Sequence, residues 1–200
     1  MEKKEKEGMI DRLFNPNLKK RMLRIVQVLL SLLAVYYLIV FVILAFMRMQ
    51  ALIEYDWLEG LHLLQVHRLL AGMSLYPAPS SEYIPLMYGP LYYYYISCFV
   101  AFFAGESYAS LRFVSLVSTL GALVMIGMLV RSMTGSKQAA WVAAGLYIGM
   151  YGMVDFWFDI ARVDSLFIFF IMTAVYFIWI APNKGGWQLY GQPWRRPVPF

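Results

Sequence analysis

IVQVLLSLLAVYYLIVFVILAFM, residues Ile25–Met47, is the stretch that decides the fold, with Gln27 and Ser31 as its only clearly polar members. A helix rises 1.5 Å per residue and a bilayer's hydrocarbon core is about 30 Å thick, so about 20 mainly apolar residues cross it. Ile25–Met47 meets that length. Ahead of it lie eight basic residues (Lys3, Lys4, Lys6, Arg12, Lys19, Lys20, Arg21 and Arg24) against four acids. A basic arm followed by an apolar run reads as a membrane topology signal with the arm inside. The run is too long, its leader too charged, and no small-x-small site follows it, so it reads as a retained span and not as a cleavable signal peptide.

The rest of the chain agrees with that start. Of its 200 residues 61% are hydrophobic and 14% charged, with a mean hydropathy of +0.60. Soluble domains carry roughly 25% charged residues. Of the net charge of +5, +4 lies before Ile25, so the arm accounts for nearly all of it and no nucleic-acid partner is expected. The single cysteine, Cys98, sits in an apolar run and gives no disulfide framework. No Cys/His cluster has zinc spacing and no glycine-rich phosphate loop occurs. A transporter or channel subunit would carry charges in mid-span, whereas here they gather at the ends of the apolar stretches.

Four further apolar stretches follow: Leu86–Ala104, Phe113–Val130, Ala139–Val154 and Leu166–Ala181. The chain therefore reads as an all-α multi-span membrane protein with four or five transmembrane helices. Residues 1–24 form a basic cytoplasmic arm, 25–181 the membrane domain, and 182–200 an irregular tail rich in glycine and proline. In the four-span version, Leu86–Ala104, with Pro85, Pro90 and the tyrosines Tyr92–Tyr95, enters the membrane without crossing, since Tyr favours the headgroup level. Thirteen basic residues then lie inside and four (Arg48, Arg68, Arg112, Arg162) outside, which the positive-inside rule favours. That version also brings the two acidic segments to one face. The expected location is the plasma membrane, with the N-terminus cytoplasmic.

The first acidic segment, Glu54-Tyr-Asp56-Trp-Leu-Glu59-Gly60, follows the first span directly. Three crowded carboxylates suit a general base or a metal. Asp56 and Glu59 also have capping-box spacing for a juxtamembrane helix running to about Ala71, with Gly72 just past its end. Around that helix Glu59, His62, Gln65, His67 and Arg68 scatter, which predicts a helix wet on several sides, a cavity wall. His62 and His67, five apart, read as hydrogen-bonding residues. The second segment holds Asp155, Asp159, Arg162, Asp164 and Ser165. On a helix Asp155, Asp159 and Arg162 share a stripe, so Arg162 is expected to neutralise Asp159 while Asp164 points elsewhere, with Asp164 or Ser165 capping the next helix.

Together these motifs resemble the C-type glycosyltransferases. The resemblance rests on Asp56-Trp-Leu-Glu-Gly60, then Arg68-Leu-Leu-Ala-Gly-Met-Ser-Leu-Tyr76, Tyr88-Gly-Pro-Leu-Tyr-Tyr-Tyr-Tyr95, Arg112 opening a span, and Trp157-Phe-Asp-Ile-Ala-Arg-Val-Asp-Ser165. Protein mannosyltransferases and the aminoarabinose transferases of lipid A are the nearest kinds. The resemblance implies an inverting membrane enzyme that moves a sugar from a polyprenyl-phosphate donor to an acceptor hydroxyl. It maps a first-loop carboxylate, the catalytic base or acceptor-orienting group, onto Asp56 or Glu59. Asp159, Arg162 and Asp164 fall near the donor phosphate or an optional divalent metal (Mg or Mn). Arg68 and Arg112 are further candidates for phosphate, and Tyr76, Tyr88 and Trp57 for sugar stacking, beside a plainer role as an interfacial belt. Such enzymes carry more spans and a C-terminal domain, so the chain corresponds to the N-terminal part of such a module. The alternative function is a non-catalytic truncated or split module, with a second chain supplying the missing spans.

The four-span reading places Ser136 inside and Ser81 outside. In a Cys98→Ser background, Ser136→Cys should resist a membrane-impermeant thiol reagent in intact cells and Ser81→Cys should react; labelling of Ser136→Cys from outside would contradict the reading.

Overall fold

The computed structural model describes residues 16–80, 83 and 88–180. Residues 1–15, Ser81, Leu86, Ala181 and the tail 182–200 therefore lie outside the described residues. The described chain is all helical, without a strand: α1 (Pro16–Met49), α2 (Trp57–Leu70), α3 (Leu91–Phe103), α4 (Tyr108–Thr134), α5 (Lys137–Gly149), a 3-10 turn (Tyr151–Val154) and α6 (Asp164–Ile180).

The first helix starts earlier than its apolar run. Pro16 occupies the first helical position, where a missing N–H costs nothing, and Leu18, Lys19, Lys20, Arg21, Met22 and Leu23 are good helix formers. The last nine residues of the expected arm are thus the first turns of α1. Two helices, Asn17–Met49 and Tyr108–Thr134, are long and apolar enough to cross a membrane. The expected span Ala139–Val154 is α5 followed by the 3-10 turn. Thirteen residues at 1.5 Å and four at 2.0 Å give about 28 Å. α3 has 13 residues, roughly 20 Å.

Contacts fix the directions. Gln138, at the start of α5, donates to Gln27 O at 2.9 Å and to Ser31 Oγ, near the start of α1. Arg48, at the end of α1, reaches Tyr151 just beyond α5 at 2.8 Å. These two helices are therefore parallel. Arg112, near the start of α4, donates to Arg48 O at 2.8 Å, so α4 runs antiparallel to α1. The chain between α1 and α4, including α2 and α3, therefore leaves from and returns to one end of the bundle. α6 starts at that same end and runs beside α4.

Helices in lipid gain little from burying apolar area against each other, so close packing relies on small residues. A β-carbon on Gly145 of α5 would overlap Ala34 of α1, and one on Gly121 of α4 would lie 2.7 Å from the Phe169 ring of α6. The α4–α5 turn uses Gly135 at φ 71°, whose N–H bonds Arg131 O at 2.8 Å, and Ser136 then caps α5. At the other end Val66, Tyr92, Tyr93, Ile96, Leu111 and Ala161 form a core that fastens α2 and α3 to the bundle.

α2 differs from its expected character. Glu59, His62 and Gln65 are not spread toward water. They are buried with Leu58 and Val66, while Trp57 and Leu64 are exposed. The polar face is the inner one, because its partners are the polar groups of neighbouring loops.

Gly145→Leu should lower the thermal midpoint of the detergent-solubilised protein, since overpacking costs about 1–3 kcal/mol. Gly127→Leu, where a β-carbon meets nothing closer than Ala140 O at 3.8 Å, should leave the midpoint unchanged or raise it. Equal midpoints for both variants would contradict the packing described.

Candidate functional site

The end of the bundle shared by α1, α2, α4 and α6 collects most of the acids and arginines singled out above. Its buried centre is Glu59, 0% exposed. Glu59 Oε1 accepts from Arg112 Nε and from Ala161 N, both at 2.8 Å. Oε2 accepts from Arg112 Nη2 at 2.6 Å and from Tyr55 N at 2.8 Å. Arg112 spends its remaining N–H groups on carbonyls: Nη1 on Arg48 O and Ala51 O (2.8 and 2.7 Å), Nη2 on Ile53 O (2.7 Å). A guanidinium has five N–H donors, so none remains for a ligand. Burial opposes ionisation of Glu59, but the bonds from Arg112, Ala161 and Tyr55 outweigh it and hold the carboxyl below its ordinary range.

Asp56 caps α2, with extended backbone and Oδ1 accepting from Leu58 N at 2.8 Å. The reciprocal arm of the capping box goes one residue further back, from Glu59 to Tyr55 N–H. The other oxygen, Oδ2, accepts from Arg162 Nη1 at 3.0 Å, and Arg162 Nε donates to Asp164 Oδ2 at 2.8 Å. One guanidinium thus bridges a carboxylate from each acidic segment. The bridge is not sealed off: the side chains of Asp56 and Asp164 are 15% and 41% exposed, that of Arg162 8%. The Trp157 ring covers the guanidinium at 4.0 Å. Burial pulls the Arg162 pKa down, but Asp164 and Asp56 more than offset it. Asp164 also opens α6, where a negative charge complements the helix dipole.

The helical stripe expected for Asp155, Asp159 and Arg162 is absent. The chain leaves the 3-10 turn through Asp155 and Phe156 at φ 51° and 60°, a left-handed pair that non-glycine residues rarely adopt. Residues 155–163 are irregular, which turns Arg162 away from Asp159 and toward Asp56 and Asp164. Asp159 pairs instead with Arg48. Arg48 Nη1 lies 2.9 Å from Asp159 Oδ1, 2.8 Å from Tyr151 OH and 3.2 Å from Phe156 O, and Tyr151 OH donates to the same carboxylate oxygen at 2.7 Å. Burial pushes the Asp159 pKa up, and Tyr151 and Arg48 only partly counter it.

His62, fully buried, lies 2.7 Å from Ala161 O through Nδ1; a carbonyl only accepts, so Nδ1 carries the proton. Burial lowers its pKa, and its ring meets those of Tyr88 and Tyr92 edge-on. The remaining candidates form a separate strut. Arg68 donates to Ser74 O at 3.1 Å and lies 4.0 Å over the Tyr83 ring, while Tyr76 OH donates to Tyr88 O. Trp57 is 70% exposed. Arg48, Tyr151 and the backbone of Ala161 were not among the sequence candidates. Arg48 did carry a signal: it is a charge closing a long apolar run, a position that calls for a partner. Among the described residues no three His, Cys, Asp or Glu side chains gather as a metal set.

The described residues form an all-helical unit with two helices long and apolar enough to cross a membrane and charged loops gathered at one end, the build of a membrane protein. Residues 87–192 match the family model described as dolichyl-phosphate-mannose-protein mannosyltransferase. That is just over half the chain, and the protein belongs to this family of C-type glycosyltransferases. The match takes in Tyr88, Arg112, Asp159, Arg162 and Asp164; Asp56, Glu59, Arg68 and Tyr76 precede it. No curated protein and no solved structure matches the chain.

Glu59→Gln removes the charge that pairs a fully buried arginine, a change that costs about 3–5 kcal/mol. Thermal unfolding of the purified variant should show a clearly lower midpoint. Because the folded pKa of Glu59 is lowered, its contribution is present above the ordinary carboxylate range and disappears as pH falls through the folded value. The native midpoint should therefore converge on that of Glu59→Gln in acid. A constant gap at all pH values would contradict this.

Proposed function

We propose that the chain takes part in transferring a sugar from a polyprenyl-phosphate donor to an acceptor hydroxyl, with Asp56 as general base. The observation that carries this reading is the Arg162 bridge between Asp56 and Asp164. It places a partly accessible carboxylate and a cation side by side, at the membrane end where a lipid-linked phosphate would lie. Glu59 is the structural member of the first-loop pair, since all its lone pairs in reach are taken and it meets no solvent. Arg112 is likewise structural, with every donor spent.

In this mechanism Asp56 takes the proton of the acceptor hydroxyl, and the acceptor oxygen forms a bond to the sugar's anomeric carbon. The bond from that carbon to the phosphate oxygen breaks on the opposite face, and its electron pair leaves with the phosphate. Configuration at the anomeric carbon is inverted. Arg162 supplies positive charge where the leaving phosphate gains negative charge, and its fork suits two phosphate oxygens. Binding of the phosphate loosens its hold on Asp56, which frees that carboxylate to act as the base. Asp164 keeps Arg162 oriented. A divalent ion between Asp56 and Asp164 would have to share both carboxylates with the Arg162 guanidinium. The bundle directions support four crossings (α1, α4, α5 with its 3-10 turn, and α6), with α2 and α3 at the non-cytoplasmic surface.

The test is transfer of labelled sugar from a synthetic polyprenyl-phosphate donor by the protein in liposomes. General-base catalysis is worth about 10²–10⁴-fold, so Asp56→Asn, which keeps an oxygen to cap α2, should lower the rate by that factor with unchanged expression. Asp164→Asn should also abolish transfer. Undiminished transfer in both variants would overturn the assigned roles.

A further inference from the structure

The opposite end of the bundle carries a feature that the transfer reaction does not use. An apolar groove of about 450 Å³ opens between α1, α4 and α5, lined by Ala34, Leu38, Leu123, Gly127, Ala144 and Ile148. The volume lies within the ~300–1,000 Å³ usual for ligand sites. Arg131 and Lys137, from the last turn of α4 and the first residue of α5, stand at its rim. Both are exposed, and neither meets a carboxylate among the described residues. Lys137 sits at a helix N-terminus, where the dipole disfavours a cation, so helix stability does not account for it. On α1 the residues that face α5, Gln27 and Ser31, are preceded at the same 3–4 spacing by Arg24 and Lys20. Two cations therefore stand at the rim of an apolar groove, and Arg24 and Lys20 add positive charge further along the same face of α1. Trp141, half-exposed with its indole N–H 3.4 Å from Ser31 O, stands where an interfacial tryptophan belongs.

We infer that this groove binds an anionic phospholipid, one acyl chain lying between α1, α4 and α5 and the phosphate held by Arg131 and Lys137. Basic pockets between transmembrane helices take anionic headgroups in this way. The apolar wall calls for a chain, and the unpaired cations at its rim call for a phosphate; a second protein helix would answer only the first. The site is separate from the Arg162 bridge. Arg131 lies 19 residues along α4 from Arg112, roughly 28 Å at the helical rise. On the proposed orientation it faces the inner leaflet, although lipid binding itself requires only the groove and its rim.

The experiment is native mass spectrometry of the purified full chain titrated with phosphatidylglycerol or with phosphatidylcholine. The native protein should retain phosphatidylglycerol in preference. An Arg131→Gln/Lys137→Gln double variant should lower that affinity roughly 30-fold, each basic residue near a membrane surface being worth about a fivefold factor, and should weaken phosphatidylcholine, whose choline offsets its phosphate charge, by much less. Gly127→Leu, which fills the groove without a backbone clash, should lower retention of both lipids. Equal retention of the two lipids by the native protein would overturn the proposal. So would an unchanged affinity in the double variant, or copy-to-copy crosslinking through Met128→Cys with no lipid retained. None of these readouts depends on sugar transfer, so the proposed reaction can fail while this site stands.

Discussion

The pairing of Arg112 with Glu59 is the interaction on which the rest of the wet end depends. Arg112 anchors the start of α4, and Glu59 lies on the inner face of α2. Between them they bind the end of α1, the α1–α2 loop and, through Ala161 N–H, the loop before α6. Two opposite charges removed from water are stabilising only when nearly every lone pair and proton is satisfied. Here five guanidinium protons and two carboxylate oxygens all have partners. An isolated charge in the same place would be prohibitive, so the pair also selects this arrangement of helices over alternatives that bring Arg112 to a different neighbour.

The same constraint accounts for the other arginines at this end of the bundle. Arg48 is matched by Asp159, Arg112 by Glu59, and Arg162 by Asp56 and Asp164. Arg68 lies over an aromatic face. Three of the four arginines at this end are thus matched by carboxylates, and the fourth by an aromatic face and a carbonyl. The carboxylates paired with these three arginines differ in access. Glu59 and Asp159, the partners of Arg112 and Arg48, are buried, while Asp56 and Asp164, bridged by Arg162, border solvent. Access, more than charge, separates the framework from the proposed reaction site in this family member.

Much of this was legible in the sequence, and the misses have physical causes. Apolar run length located the two helices long enough to cross, Asn17–Met49 and Tyr108–Thr134, because a bilayer sets a minimum length for a crossing. Asp56 announced the start of α2 through a local rule, side-chain capping. The resemblance to a known family is borne out over residues 87–192, a stretch that holds the second acidic motif and not the first. By contrast, helical periodicity continued through 155–164 pairs Arg162 with Asp159, a pairing the structure does not make. The left-handed pair Asp155–Phe156 breaks that helix, and nothing in their side chains signals it, since neither is glycine. The buried polar face of α2 inverts the usual rule. A periodicity reading sends Glu59, His62 and Gln65 to water, whereas Arg112, Ala161 and Tyr83 supply their partners from distant parts of the chain. Those partners are tertiary facts, and no local pattern encodes them.

The central claim is that two neighbouring arginines, both buried and both paired with first-loop acids, have different fates: Arg112 stays locked to Glu59 while Arg162 opens to the donor. The most direct test is an experimental structure of the protein with a polyprenyl-phosphate sugar bound. The account predicts a phosphate oxygen at about 2.7–2.9 Å from the Arg162 guanidinium, the anomeric carbon facing Asp56, and the Arg112–Glu59 pair intact. A phosphate held by Arg112, or a sugar facing Glu59, would contradict it.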